Sequence, residues 1–177
     1  MIQIRTYTDA DRDSIIDLVL HCQNDGTRPR VTVGDQPELL NINEKYMEDG
    51  GCFWVAEDDG RLAGTIGLMN YKNGIAVLKK FFVYEPYRSA PHHLGRRLYA
   101  VMMDFARIHG VRQMILDTPK NTDRAHDFYE KAGFRKLEKG QLPVAFDYPY
   151  DDCDFFCLDV IPAVDGGNEV FNSPGAQ

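Results

Sequence analysis

The segment FFVYEPYRSAPHHLGRRLYAVMMDFAR, residues 81–107, decides the fold. It opens on the apolar run Phe81-Phe-Val83, breaks at Pro86 and Pro91, and then sets Leu94, Leu98, Val101, Met102 and Phe105 at i, i+4, i+7, i+8 and i+11. That spacing is the apolar stripe of a half-buried helix, expected over about 92–109 and stopped by Gly110. Val111 to Thr118 is short and apolar and reads as a strand. Strand, helix and strand then form a right-handed crossover, which sets the fourth and fifth strands of the chain parallel.

Upstream lies a meander. Residues 2–7 read as a strand, and Thr8 with Asp11 gives a T-x-x-D cap for a helix over about 9–23. Residues 24–36 hold Gly, Pro, Asn and Asp and read as a loop. A second helix is expected over about 37–48, with Leu39, Leu40, Ile42 and Tyr46 on its apolar side and Asp49-Gly-Gly51 ending it. Strands over about 52–57, 61–71 and 75–84 are joined by turns at Asp58-Asp-Gly60 and Lys72-Asn-Gly74, whose residues tolerate positive φ. Downstream, residues 122–132 form a helix closed by Gly133. Phe134–Leu137 and Cys153–Val160 are late strands around a long aromatic loop. The tail 161–177, rich in Gly, Pro and Asn, reads as flexible. With no repeat and no second core, residues 1–160 form one α/β domain, a mixed sheet with helices on both faces.

Composition narrows the function. The 44% apolar and 27% charged fractions suit an ordinary globular chain. A net charge of −7, with Lys79-Lys80 and Arg96-Arg97 as isolated basic clusters, argues against nucleic acid as a partner. The same acidity mildly favours a cationic substrate such as an amine, but plain solubility charge accounts for it better. Cys22, Cys52, Cys153 and Cys157 match neither a CxxC pair nor a zinc finger, and His92-His93 lacks a partner at ligand spacing, so no metal is expected. The first residues lack the apolar core of a signal peptide, and no apolar run approaches the roughly 20 residues that span a bilayer. No membrane association, and a cytoplasmic protein with reduced thiols, are therefore expected.

The turn between Tyr84 and Leu98 has the makings of an anion site. A helix start leaves free N–H groups and a positive dipole end, Gly95 permits close backbone approach, and Arg88, Arg96 and Arg97 add charge. A capped helix with solvated arginines fits the same residues as well. His92 and His93 are either polar contacts there or solvated loop residues.

The stretch resembles the first CoA-binding motif of the GNAT superfamily of N-acetyltransferases, R-x-x-G-x-G/A before a helix. Arg88 matches its leading arginine, Gly95 its last glycine and Arg96-Arg97-Leu98 its basic pair and leucine. His93 stands where the first glycine is usual, and the loop is two residues longer around Ala90-Pro91. Asn121-Thr-Asp-Arg-Ala125-His-Asp-Phe-Tyr129-Glu-Lys-Ala-Gly-Phe134 resembles the second motif, N-x-x-A-x-x-x-Y-E-K-x-G-F. Ala125, Tyr129, Glu130, Lys131, Gly133 and Phe134 are in register, Thr122 sits in the usual Asn place and Asn121 just before it. Asp58 to Gly67 resembles the family's second hairpin, and Leu142-Pro143 with Phe146 resembles a late loop of one branch, so the likeness extends over about residues 2–160.

The resemblance implies the family's fold: a central, mostly antiparallel sheet of about six or seven strands, with helices on both faces and strands four and five parallel and splayed apart. It implies acetyl-CoA as co-substrate and transfer of the acetyl group to a primary amine, on a small molecule or a protein, by direct attack in a ternary complex. The pyrophosphate would lie on the loop and helix start formed by Arg88, His92, His93, Leu94, Gly95, Arg96 and Arg97. The pantetheine would pair with the backbone of Phe82 and Val83 and pass Asn121, Thr122, Ala125 and Phe128. Tyr129 would assist the departing thiolate, whereas the residues alone read it as a packing tyrosine beside Phe128. Asn121 and Thr122 equally suit a helix cap. Many members carry Glu near position 77, where this chain has Val77. Glu57, Glu85, Asp117 and His126 are candidate bases, beside a water chain, and none is assigned. Many members are homodimers. The loop at 24–36 and the segment 140–152 are expected to define the acceptor. The alternative reading is a non-catalytic acyl-CoA-binding or regulatory module on the same fold.

Overall fold

The computed structural model describes residues 1–163, so most of the tail expected over 161–177 lies outside the described residues. Seven strands form one sheet in the order β1-β2-β3-β4-β5-β7-β6. They are β1 (Ile2–Thr6), β2 (Cys52–Asp58), β3 (Arg61–Asn70), β4 (Ile75–Val83), β5 (Gln113–Pro119), β6 (Arg135–Leu137) and β7 (Cys153–Asp159). The helices are α1 (Arg12–Gln23), α2 (Leu94–Ile108) and α3 (Asp123–Lys131). Every strand pair is antiparallel except β4–β5, which is parallel as the crossover requires.

The turns follow the expected chemistry. Asp59 and Gly60 have φ of 47° and 82°, and Asn73 and Gly74 have 65° and 74°, the left-handed pairs of tight hairpins. Ahead of α1, the Thr8 N–H donates to Asp11 Oδ2 at 2.9 Å, closing the cap on a short 3₁₀ turn.

The second helix is where expectation fails. Residues 37–48 form a 3₁₀ turn at Pro37–Leu40 and a π turn at Asn43–Met47, with a break at Asn41. Leu39, Ile42 and Tyr46 are buried as expected, but Leu40 is 48% exposed. Tyr46 lies over Gly67, where a Cβ would come within 2.7 Å of its ring. The chain thus follows side-chain packing onto the sheet rather than a regular 3.6-residue period.

Two cores flank the sheet. One packs α2 and α3 on Trp54, Ile66, Leu68, Leu78 and Met114. The other packs α1 and the 39–46 segment on Phe53 and Val55. Alternation along β2 divides Cys52, Trp54 and Ala56 from Phe53 and Val55, as a strand buried on both faces requires.

Leu98 is fully buried, with its Cδ1 within 2.9 Å of the space a Cβ at Gly64 would fill. Leu98→Ala is expected to lower unfolding free energy by about 2–5 kcal/mol. Urea denaturation checks this, and the m-value should stay unchanged.

Candidate active site

The site begins with an opening in the sheet. β4 and β5 pair only at Ile75–Val77 with Gln113–Ile115, and beyond that the strands separate. β4 also bulges. Its register against β3 passes from Phe82↔Thr65 to Lys79↔Gly67, so Lys80 and Phe81 together face Ile66. Lys80 has φ of 52°, and its carbonyl accepts from Thr65 Oγ1 at 2.7 Å. An extra residue reverses the in–out alternation that follows it. Lys79 and Lys80 consequently share the α1 face, while Phe81 turns to α2 and α3 and meets Phe128 edge-on at 5.5 Å.

This shift alters the expected backbone partners. The Tyr84 N–H donates to Ala63 at 3.0 Å, so the polar groups of Phe82 also face β3 and those of Phe81 and Val83 face the opening. The Val83 carbonyl already accepts from Arg88 Nε at 2.7 Å. Phe82 therefore offers no free backbone there, and Val83 offers only its N–H. The bulge places Phe81, rather than Phe82, beside Val83 on the open side.

Two cavities meet in this opening. The one on the α2–α3 face, about 380 Å³, is lined by Phe81, His93, Gly95, Arg96, Arg124 and Phe128. The one on the α1 face, about 370 Å³, is lined by Arg28, Lys79, Lys80, Asp117, Thr122 and Tyr150. Phe81, Arg88, Arg124, Ala125 and Tyr129 line both.

The start of α2 lies in the first cavity. His93 takes the N-cap position with φ of 43°, in the left-handed region, and no side chain caps the helix. Glycine is the residue suited to that conformation, which accounts for the glycine usual there. The Gly95 site is open: a Cβ would meet only the Phe81 ring at 3.6 Å. Leu94 is fully buried, so only its backbone faces this end. Arg97 turns away and donates to the Ile2 carbonyl at 3.3 Å, and His92 packs on Tyr87 at 5.2 Å. Neither lines either cavity, nor does Leu94, whereas Arg88, His93, Gly95 and Arg96 do.

On α3, Thr122 is the N-cap residue, yet its hydroxyl donates to the Pro119 carbonyl at 2.6 Å and accepts from Thr118 Oγ1 at 2.9 Å. It fixes the β5–α3 turn and does not cap the helix. Asn121 lines the second cavity beside it. Arg124, which the sequence reading missed, lies one helical turn before Phe128. Burial lowers its pKa first and the Arg88 guanidinium lowers it further, so two like charges converge at the junction.

Tyr129 stands at the same junction, 7% exposed and packed edge-on against Phe128 and Phe134. Among the described residues its hydroxyl makes no hydrogen bond. Burial raises its pKa well above the ordinary phenol range, and Asp117 and Tyr99 raise it further. Tyr99 itself is pushed up to about 12 by burial. Tyr129 is therefore a protonated hydrogen-bond donor at neutral pH.

Of the candidate bases, three are engaged elsewhere. Glu57 pairs with Arg5 at 3.0 Å, Glu85 with His21 at 3.1 Å, and His126 Nε2 lies 3.2 Å from the Pro119 carbonyl and 3.9 Å from Asp154. Val77 is fully buried and carries no acid–base group. Asp117 faces the second cavity. Around it, Lys80 Nζ is held by Gln36 Oε1 at 2.6 Å and Glu38 Oε1 at 3.0 Å, and Lys79 Nζ donates to the Asp147 carbonyl. The loop at 24–36 supplies Asp25, Thr27 and Arg28 to this cavity, and the 140–152 segment supplies Pro149 and Tyr150. No group of acids, histidines or cysteines able to hold a metal, and no helix long and apolar enough to cross a membrane, occurs among the described residues.

An opened β4–β5 pair with an uncapped helix start beside it leaves room for a ligand that carries an anionic group. Residues 16–134 match the acetyltransferase (GNAT) family, and the chain belongs to that family. A probable N-acetyltransferase camello of Xenopus tropicalis is 33% identical over 109 residues, covering 60% of this chain and 49% of its own length. The chain spans about half the length of the curated relatives it matches. An acetyltransferase from Streptococcus agalactiae superposes with a TM-score of 0.85 at 32% identity, over 89% of this chain and 98% of that one. A putative acetyltransferase from Salmonella typhimurium, solved with its cofactor acetyl-CoA, superposes at 0.69 with 19% identity, over 92% of this chain and 96% of that one.

The left-handed backbone at position 93 generates a prediction. His93→Gly is expected to hold or raise the melting temperature, whereas His93→Val, β-branched at positive φ, should destabilise by about 1–3 kcal/mol. Thermal unfolding of both variants checks the pair.

Proposed function

We propose that the protein is an N-acetyltransferase that moves the acetyl group of acetyl-CoA to a primary amine. The observation that carries this reading is the opening between β4 and β5, which joins a cavity at the start of α2 to a separate cavity on the α1 face. A two-substrate reaction needs such a passage, because donor and acceptor can then enter from opposite faces and meet inside the sheet.

The donor lies on the α2–α3 side. The free N–H groups at Leu94 and Gly95 meet the pyrophosphate, and the helix dipole adds to their attraction. Arg88, Arg96 and Arg124 supply charge around it, with Arg124 joining the set expected from sequence. The pantetheine passes Phe81, Ala125 and Phe128, and the Val83 N–H is its remaining backbone partner on β4. The amine enters from the α1 side, between the 24–36 loop and the 149–150 turn, and attacks the thioester carbonyl directly.

As the C–S bond breaks, negative charge develops on sulfur. Tyr129, protonated and unbonded at the junction, donates a hydrogen bond to it there. Its raised pKa makes full proton transfer to the thiolate uphill, so stabilisation by the hydrogen bond is its main contribution. Small-molecule amines and protein amines are both acceptor classes for this family. Four free thiols suit a reducing compartment, and we assign the protein to the cytoplasm, as one GNAT domain over 1–160.

Acetyl-CoA is expected to raise the melting temperature by mass action. Gly95→Glu, which brings side-chain bulk and negative charge to the helix start, should remove that shift while the apo melting temperature holds. Calorimetric titration of both proteins checks this, and undiminished CoA affinity in the variant would exclude this helix start as the phosphate site.

Tyr129→Phe is expected to lower kcat by about tenfold or more with KM for acetyl-CoA little changed, because the hydroxyl acts where charge develops only in the transition state. Steady-state thiol release checks the split.

A further inference from the structure

We propose that Asp117 is the general base of the acyl transfer and that the acceptor is therefore an alkylammonium, a primary amine protonated in solution. The proposal rests on the N-acetyltransferase reading above and deepens it.

The geometry is specific. Asp117 lies on β5 two residues beyond Ile115, where pairing with β4 ends, so its carboxylate stands at the edge of the opening. It lines the α1-face cavity together with Tyr129, the group assigned to the leaving sulfur. Among the described residues no side chain pairs with it, and the hydrogen bond it makes is to its own backbone N–H. The other acidic groups lining that cavity, Asp25 and Asp123, lie on the exposed rim, and Asp25 is held by Thr27. An inward carboxylate with no side-chain partner is arranged to accept something from the cavity.

The surroundings decide what it accepts. Lys79 and Lys80 of β4, Glu38 of the 37–40 turn and Tyr129 of α3 face it, with Tyr46, Tyr150 and Cys153 further round. The two lysines would make Asp117 a weak base if they paired with it. They do not: Lys80 is tied to Glu38 and Gln36, and Lys79 to the Asp147 carbonyl. Burial therefore outweighs their attraction, and the Asp117 pKa is raised. A carboxylate so placed takes a proton more readily than one in water.

The proton balance closes. The ammonium nitrogen gives one proton to Asp117, and the freed lone pair forms the C–N bond. The C–S bond breaks with its electron pair leaving on sulfur beside the Tyr129 hydroxyl. Nitrogen then sheds its second proton, which ends on the thiol, and Asp117 returns its proton to solvent through the cavity mouth.

A nucleophile already neutral at pH 7 needs no base, and this supplies the test. Wild type, Asp117→Asn and Asp117→Glu are assayed with acetyl-CoA and high concentrations of ethylamine, which is protonated at pH 7, or hydroxylamine, which is not. Asp117→Asn is expected to lose about 10²–10⁴-fold in kcat/KM with ethylamine, to recover as pH rises towards the amine's own pKa, and to change little with hydroxylamine. Asp117→Glu should restore part of the ethylamine rate. The acetyl-CoA-induced thermal shift should be unchanged in all three. A raised folded pKa means that the stability contributed by the protonated carboxyl is full below the ordinary carboxylate range and is lost as pH rises through the raised value. Asp117→Asn, which cannot ionise, should thus melt no lower than wild type at pH 7. Equal losses with both nucleophiles, or none with ethylamine, would overturn the base assignment while leaving the acyl-transfer reading intact. A wild type that binds acetyl-CoA and acetylates neither nucleophile would overturn both.

Discussion

A strand that loses its neighbour must find other partners for its backbone, and this obligation governs the molecule from β4 outward. Pairing with β5 ends at Val77, and the hydrophobic sheet continues around the break. Each exposed N–H and C=O there is costly unless it is satisfied. Lys80 hands its carbonyl to Thr65, and Val83 hands its carbonyl to Arg88. What stays open after these local solutions is the lining of the passage, and that remainder is what a ligand completes.

The bulge that makes this possible carries its own burdens. Lys80 holds a backbone conformation better suited to glycine, and its ammonium is buried, which lowers its pKa. The charge is tolerated because Glu38 and Gln36 reach it and Gln23 of α1 holds Gln36 through paired amide bonds of 2.9 and 2.6 Å. This polar knot explains why the 37–47 segment is irregular. Its residues are placed to satisfy Lys80 and to seat Tyr46 over Gly67, and a regular helix would have to give up one of the two. Its contribution is to fix position: it anchors a wall of the α1-face cavity to the strand that borders the opening.

The sequence carried the sheet, its parallel pair, the hairpins and the two long helices, because each was signalled by a local period or a turn residue with one physical meaning. Alternation in β2, the stripe on α2 and the Asp-Gly and Asn-Gly turns are of that kind. Of the residues read for the donor, Gly95, Ala125 and Tyr129 line the cavities at the opening, and the resemblance had set their register. The backbone of Phe82 turns to β3 instead, because a single inserted residue in a strand leaves no local trace and yet exchanges the faces of all that follow. Arg97 lines neither cavity for a related reason: a helix start in one dimension does not show which of two adjacent arginines points back toward β1. Asp117 could be named among the candidates but not chosen, since the pairing of Glu57 with Arg5 and of Glu85 with His21 joins residues far apart in the chain.

Because the two cavities share Phe81, Arg88, Arg124, Ala125 and Tyr129 in their linings, the sheet acts as a partition with a doorway at these residues. A molecule made of a CoA half and an amine half joined through that doorway would engage both chambers with one loss of translational freedom. The second half would then bind at an effective concentration set by the linker.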